Sequence, residues 1–396
     1  MSFCPYPFFL NLGQLESDNV DPPELGLGGQ VNLQGDLKIM PDKSFWNSKT
    51  VFITGHTGFK GSWLSYWLRL LGANVYGYAL NPETEPNLFH AAGLADDMDS
   101  RIGDIRDEDK LHAELKQVKP DIVLHLAAQA LVRRSYEDPV ATFDTNVMGT
   151  VRLLNVLRDL PHVGAVVVIT SDKCYENQEW PWPYRETDEM GGHDPYSSSK
   201  ACVELLVSAF RRSFYNTPAA IPLATARAGN VIGGGDWSVD RLVPDLIRGF
   251  NAQQPVVIRS PTAIRPWQHV LEPLSGYLLL AQKLYEDKHS FSEAWNFGPH
   301  EQNRCTVAWI ADQIVGRLGA GAEWKQDHSA HPHEAHVLSL DNAKSLHRLG
   351  WHPRWDIHTT LDSVVRWYQA HAEQSTTSRL RDEMQLDIER YSQEGL

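Results

Sequence analysis

The sequence predicts an α/β fold, a Rossmann-type doubly wound parallel sheet with a smaller C-terminal substrate-binding lobe. Three observations carry that prediction. From Thr50 onward, short and wholly apolar strands alternate with helical segments. Strands apolar on both faces need cover on both faces, and a parallel sheet between two helix layers supplies it. A glycine-rich turn, Gly55-His56-Thr57-Gly58-Phe59-Lys60-Gly61, stands between the first strand and the first helix, where such sheets bind dinucleotides. After about Leu242 the alternation becomes uneven, which marks the smaller lobe, interleaved with the sheet.

Taken in order, Thr50 to Thr54 reads as the first strand and Trp63 to Leu71 as a helix ended by Gly72. Val75 to Ala79 is the second strand, and a third precedes Gly103. Asp109 to Val118 is helical, Ile122 to Leu126 a buried strand, Thr142 to Leu160 helical and Ala165 to Thr170 a strand. In the later region Val256 to Ile258, Ala294 to Phe297 and Val337 to Leu340 read as short strands between helices. The expected organisation is a poorly ordered extension over 1–44, a mainly dinucleotide-binding region over 45–240, a substrate lobe over 241–373 and a charged tail over 374–396. A second reading of the extension is that translation begins at Met40. The tail reads either as a surface helix or as disordered chain.

Composition narrows the class. The chain has 396 residues, 42% of them hydrophobic, enough for a substantial core. Its formal charge of −14 argues against nucleic acid or an anionic membrane surface as a partner. Cys4, Cys174, Cys202 and Cys305 form no metal or disulfide spacing, which fits a reducing, cytoplasmic setting. No apolar run reaches the roughly 18 residues of a membrane span, and the apolar stretch from Phe3 to Leu10 lacks the basic residues of a secretory signal.

The glycines of the first turn, Gly55, Gly58 and Gly61, give a tight bend, close approach to a pyrophosphate and close helix–strand packing, with Thr57 and Phe59 between them. The helix that follows turns free N–H groups and a positive dipole end toward the phosphates. Gly103-Asp104-Ile105 follows the third strand, where Asp104 either accepts from an adenine amino group or, with Asp107, caps a helix. Leu126-Ala127-Ala128 ends the fourth strand with small residues that let a ligand lie on backbone. The second strand ends in Tyr78-Ala79-Leu80-Asn81, without the acidic residue that usually holds an adenosine ribose. These residues therefore leave NAD and NADP both open.

Tyr196 and Lys200 are four apart at the start of a helix, so they share one face. An ammonium beside a phenol favours the phenolate, which makes the pair a base. Ser171 lies at the carboxyl end of the fifth strand, where open α/β sheets bind ligands. Asp172 and Lys173 follow it, an acid and a base side by side at the strand end. His331-Pro332-His333-Glu334-Ala335-His336 has no H-E-x-x-H pattern, and no metal is expected. Cys174 reads as a packed cysteine, and the Trp180-Pro181-Trp182 segment as a lid or as loop packing.

Ser171, Tyr196 and Lys200 behind a glycine-rich first turn resemble the extended branch of the short-chain dehydrogenase/reductase superfamily over roughly Lys49 to Ala372. Lysine at position 173, together with the strings Gly55–Trp63, Ser171–Tyr175, Arg227–Trp237 and Ile264–Val270, is similar to the CDP-glucose 4,6-dehydratases within it. The resemblance implies NAD as cofactor and conversion of CDP-D-glucose to CDP-4-dehydro-6-deoxy-D-glucose and water, a step toward deoxysugars of bacterial surface polysaccharides such as O-antigen. It implies that Tyr196 takes the 4-hydroxyl proton, Ser171 positions the sugar, and Lys200 lowers the tyrosine pKa and holds the cofactor ribose. Lys173 removes the C5 proton and Asp172 protonates the leaving hydroxyl, so Lys173 has to be neutral when it acts. It further implies that Asn230, Arg241, Arg265 and His269 contact the substrate, and that the protein is a homodimer through helices around Val151 and Cys202. Another nucleotide-sugar dehydratase, a 4-epimerase and a non-catalytic NAD-sensing protein are the competing readings.

Overall fold

The computed structural model describes residues 40–319, 321–329, 337–373 and 376–393. They belong to one compact unit, Lys38–Leu396. Nearly all of the expected extension, and the His331–His336 cluster, lie outside the described residues. The extension's predicted end at residue 44 is too late, because Lys43–Trp46 forms a helical turn capped by Asp42 with Trp46 fully buried.

The central sheet is built from β1 (Thr50–Thr54), β2 (Asn74–Ala79), β3 (Asp99–Ile102), β4 (Ile122–His125), β5 (Ala165–Ile169), β6 (Leu223–Ala228) and β7 (Ala294–Phe297). All seven pair in parallel, in the order β7-β6-β5-β4-β1-β2-β3. The strand order reverses between β1 and β4, and that switch opens a crevice at the carboxyl edge. Alternate strand residues feed the two helix layers. Val51, Ile53, Leu124 and Val167 face one side, where they meet α1 (Phe59–Leu70) and the later helices. Phe52, Val123, Val166 and Val168 face the other, against α2 (Glu108–Val118), α3 (Gly149–Leu157) and α4 (Pro195–Ser213).

The chain after β6 contributes α5 (Leu242–Asn251), α6 (Leu271–Asp287), α7 (Ile357–Ala372) and α8 (Thr377–Gln393). Three differences from the sequence expectation have physical causes. The helix expected over 142–160 is interrupted by a π-turn at Asp144–Met148, which lets Asn146 reach sideways. Its side chain accepts from Gln129 N at 2.8 Å and donates to Gln129 O at 3.0 Å and Ser199 Oγ at 2.8 Å. Val337–Leu340 is not a strand; Leu340 makes a single bridge to Tyr184. The charged tail is neither loose nor a mere surface helix, because α8 buries Leu380, Met384, Ile388 and Tyr391 in the core. Among the described residues, no helix is long and apolar enough to cross a membrane.

Candidate active site

The glycine-rich turn lies at the sheet's switch point, between β1 and α1. Gly55 has φ +81°, and a Cβ there would come within 2.7 Å of Ala127 N, so only glycine fits. A Cβ on Gly61 would fall 2.1 Å from Gly55 O, which fixes the close approach of helix to strand. On Gly58 a Cβ would meet nothing nearer than Gly55 O at 3.5 Å. Here the bare backbone is not demanded by protein packing, which is what a cradle for an incoming phosphate requires. Gly58 is also the N-cap of α1 and has no side-chain cap, leaving the first N–H groups of that helix unclaimed by one.

Across the crevice, Leu126, Ala127 and Ala128 follow β4, and Thr54 Oγ1 holds Ala127 N at 3.2 Å. Thr57 Oγ1 donates to Leu80 O at 2.8 Å and ties the turn to the end of β2. Asp107, rather than Asp104, caps α2 by accepting from Lys110 N. Asp104 is paired with Arg106 at 2.6 Å. Ile105 is buried under Gly149 of α3. The donor set suits a dinucleotide: a bare turn, a helix N-terminus and small residues opposite.

The next groups come from β5 and α4. β5 delivers Ser171 at its carboxyl end, where Ser171 caps one turn of 3₁₀ helix, Asp172–Cys174. Its Oγ donates to Asp172 Oδ1 at 2.9 Å and accepts from Lys173 N at 3.2 Å. Asp172 is only 4% exposed. Burial raises its pKa, opposed by Lys173, the Ser171 hydrogen bond, Lys60 and Arg265. Its second oxygen faces Gly229, where a Cβ would lie 2.9 Å from it. The carboxyl is therefore clamped on one side and admitted by a missing side chain on the other.

Asp194 caps α4, accepting from Ser197 N at 2.9 Å, and sets Tyr196 and Lys200 on the inward face one turn apart. Both are buried. Burial pushes the Tyr196 phenol up to about 12, while Ser171 and Arg241 pull it down and Asp172 adds to the rise. The Lys200 ammonium points to Ile169 O at 3.4 Å, and burial lowers it to about 8 against the pull of Glu204.

One cavity joins these groups. Ser171, Asp172, Lys173 and Tyr196 line it together with Asn230, Arg241 and Arg265. Arg241 is held by Asp236 at 3.0 Å, which orients its guanidinium. His269 is not part of the cavity wall. It is fully buried between Trp63 and Trp355, and Ser363 lies 3.3 Å from its Nε2. Burial lowers its pKa to about 3, so it is a neutral core histidine and not a phosphate ligand. Cys174 is buried with a raised pKa, an inert thiol. Trp180 stacks on Trp182 at 5.1 Å and lies against Tyr184, the loop-packing alternative. Among the described residues no cluster suits a metal ion.

Two residues escaped the sequence reading. Asn146 clamps the segment after β4 to α4, and the π-turn that aims it has no sequence signature. Lys60 is the second residue of α1 and lines the cavity beside the turn that carries Ser171 and Asp172. Its place inside the glycine motif was visible, but a lysine among motif spacers carries no direction until the fold is known.

A parallel sheet with this switch point, a glycine cradle, and serine, tyrosine and lysine at its carboxyl edge define an enzyme of the extended short-chain dehydrogenase/reductase class. Residues 52–364 match the family described as GDP-mannose 4,6 dehydratase, and the chain belongs to that family. It is 56% identical to a CDP-glucose 4,6-dehydratase of Salmonella typhimurium, over 84% of this chain and 93% of that protein. A dTDP-glucose 4,6-dehydratase of the same organism is 26% identical over 82% of this chain and 93% of its own length. Among solved structures, an epimerase of Methanothermobacter thermautotrophicus superposes with a TM-score of 0.72 at 23% identity, covering 85% of this chain and 96% of its own. A dTDP-glucose 4,6-dehydratase of Bacillus anthracis in complex with NAD gives 0.67 at 20% identity, covering 83% and 99%.

Proposed function

We propose that this protein is an NAD-dependent lyase that converts CDP-D-glucose to CDP-4-dehydro-6-deoxy-D-glucose and water. The observation that carries the reading is the meeting of Ser171, Asp172, Lys173 and Tyr196 on one cavity wall. An epimerase needs the hydroxyl pair, whereas a dehydratase also needs an acid and a base at C5 and C6. The similarity to the Salmonella CDP-glucose 4,6-dehydratase supports the choice of nucleotide.

In this reading Gly55, Thr57, Gly58, Phe59, Gly61, Asp104, Ile105, Leu126, Ala127, Ala128, Tyr196 and Lys200 hold the dinucleotide. When bound, NAD supplies the redox chemistry, taking a hydride from C4 and giving it back at C6. The chain's own groups move the protons. Tyr196 takes the 4-hydroxyl proton while Ser171 holds the sugar oxygen. Lys173 removes the C5 proton, exchanges it with solvent and then delivers a solvent-derived proton to C5. Asp172, whose pKa burial raises, gives its proton to the departing 6-hydroxyl. Asn230, Arg241 and Arg265 bind the diphosphate, the guanidiniums matching its oxygens.

We also infer a homodimer through α4 and the helical segment leading into α3. Val140, Met148 and Leu205 are large apolar side chains left exposed there. Sedimentation at a mass near twice the 44.7 kDa chain supports this, and a monomer at micromolar concentration removes it. Unpaired Cys174, Cys202 and Cys305 support a cytosolic setting.

Incubation with CDP-glucose in deuterated water tests the reaction. A 4-keto-6-deoxy product carrying deuterium at C5 is expected. Unchanged sugar, or a 4-epimer that keeps its 6-hydroxyl, overturns the reading. Lys173→Met is expected to abolish C5 exchange, and retained exchange removes Lys173 as the base.

A further inference from the structure

Lys60 is a charged group of the cavity to which the proposed chemistry gives no task. Lys60 stands on the glycine-rich turn, lines the same cavity as Asp172 and Tyr196, and makes no hydrogen bond or ion pair with any described residue. Taking a lysine ammonium out of water without pairing it costs free energy. The charges that face it are Arg241, Asp172, Lys200 and Asp236. Those that face Asp172 are Lys173, Lys60 and Arg265. Lys60 and Asp172 thus appear in each other's surroundings, one from α1 and one from the turn after β5. Asp172 has one oxygen committed to Ser171 and the other beside Gly229, where it accepts no hydrogen bond from a described residue.

We propose that Lys60 is the proton source for Asp172, reloading the carboxylate after it has protonated the departing 6-hydroxyl. The inference rests on the dehydratase reading above. In the elimination the C5–H bond breaks, its proton goes to Lys173, and its electron pair becomes the C5–C6 double bond. The C6–O bond breaks as Asp172 donates its proton, and water leaves. Asp172 is then a buried carboxylate. The Lys60 ammonium gives it a proton and becomes a neutral amine, which takes a proton back from solvent at the cavity mouth. Solvent has meanwhile received the 4-hydroxyl proton that Tyr196 removed. The cycle therefore consumes no proton and needs no further reactant.

Burial makes this transfer accessible, because Lys60 is lowered to about 8, first by desolvation and then by Arg241. A group lowered in this way supplies its proton fully below that value and loses it as pH rises through about 8. Dehydration by the wild-type protein should accordingly fall on the alkaline side with a midpoint near pH 8.

The test compares the wild-type protein with Lys60→Met and Lys60→Arg. Rates of dehydration are followed across pH 6 to about 10, with mass analysis of quenched mixtures for 4-keto hexose that still carries its 6-hydroxyl. Lys60→Met should slow dehydration about a hundredfold at neutral pH, lose the alkaline limb and accumulate that intermediate. Lys60→Arg keeps the charge but cannot release a proton, so it should fold and bind yet remain slow. Melting temperatures near that of the wild type establish that both variants are folded. Wild-type rate and pH profile in Lys60→Met overturn the proposal, and so does full recovery in Lys60→Arg, which leaves Lys60 a simple charge. A wild-type protein that makes no 4-keto-6-deoxy product from CDP-glucose overturns the dehydratase reading itself, a separate outcome.

Discussion

In the proposed reaction Asp172 is the acid, and the space around it is shaped at single-atom scale. The Ser171 hydroxyl fixes one carboxyl oxygen at 2.9 Å, and the absence of a side chain at Gly229 admits the other. A Cβ at position 229 would sit 2.9 Å from that oxygen and 3.1 Å from Pro266 Cγ. Gly229→Ala should therefore turn the carboxyl away from the cavity and lower the dehydration rate by about tenfold or more, since small misplacements of a reacting group are amplified. Its melting temperature should stay within a few degrees of the wild type. An unchanged rate constant in this variant would show that the carboxyl's second oxygen is not at the reacting site. Residue identity alone did not reveal this relation: Ser171-Asp172-Lys173 was readable as a chemical triplet, whereas its dependence on residues 229 and 60 comes from β6 and α1 meeting it in space. His269 shows the opposite error. It stands in a motif with Arg265, but the strand turns it inward between two tryptophans, and burial excludes the charged form.

At the scale of elements, the sheet was legible because its strands are apolar on both faces, a pattern with few other solutions. The π-turn before α3 and the docking of the last helix were not, since both depend on contacts distant in sequence. α6 carries one such contact. Glu272 is 1% exposed, accepts from Arg354 N at 2.9 Å and Trp355 N at 2.7 Å, and takes the Tyr391 hydroxyl at 2.7 Å. It pins the segment before α7 and the end of α8 to α6. Burial raises its pKa from 4.5 to about 7, more than these hydrogen bonds lower it. The sign follows from linkage. A carboxyl raised on folding favours the folded state most below its unfolded value near 4.5, and that contribution is lost as pH rises through about 7. The loss amounts to on the order of 3 kcal/mol above pH 7. Glutamine can still accept from both backbone N–H groups and donate to Tyr391, whose own hydroxyl then turns to Ser275, 3.0 Å away. Glu272→Gln should therefore melt several degrees above the wild type at pH 8 and nearly level with it at pH 5. Equal melting temperatures at both pH values would show that Glu272 does not titrate in this range.

For the molecule as a whole, the outcome turns on α8, which the sequence reading set aside as a charged tail. The signal was present: Leu380, Met384, Ile388 and Tyr391 recur at helical spacing, and the charges lie between them. All four are buried. Tyr391 packs edge-on to Trp67 of α1 and Trp355 before α7, so the last helix bridges the sheet's first helix and the segment that leads into α7. The charges are fixed as well. Arg366 of α7 bonds Glu383 at 2.8 Å and also Asp387, while Arg381 pairs with Asp97 at 2.8 Å. Burial of four such side chains contributes roughly 1.5–3 kcal/mol each, a sum comparable with the whole stability of an ordinary domain, about 5–15 kcal/mol. Ending the chain after Glu373 also leaves Glu272 without its tyrosine and His269 beside a Ser363 that has lost Asp387. The truncated protein should be recovered mainly as aggregate, and any soluble fraction should melt at least 10 °C lower by circular dichroism, on the order expected for several kcal/mol. A soluble truncation with the wild-type melting curve would return α8 to the status of a dispensable surface helix. Loss of folding would show that the catalytic crevice at one edge of the sheet is held by a helix about 180 residues beyond Tyr196 in the chain.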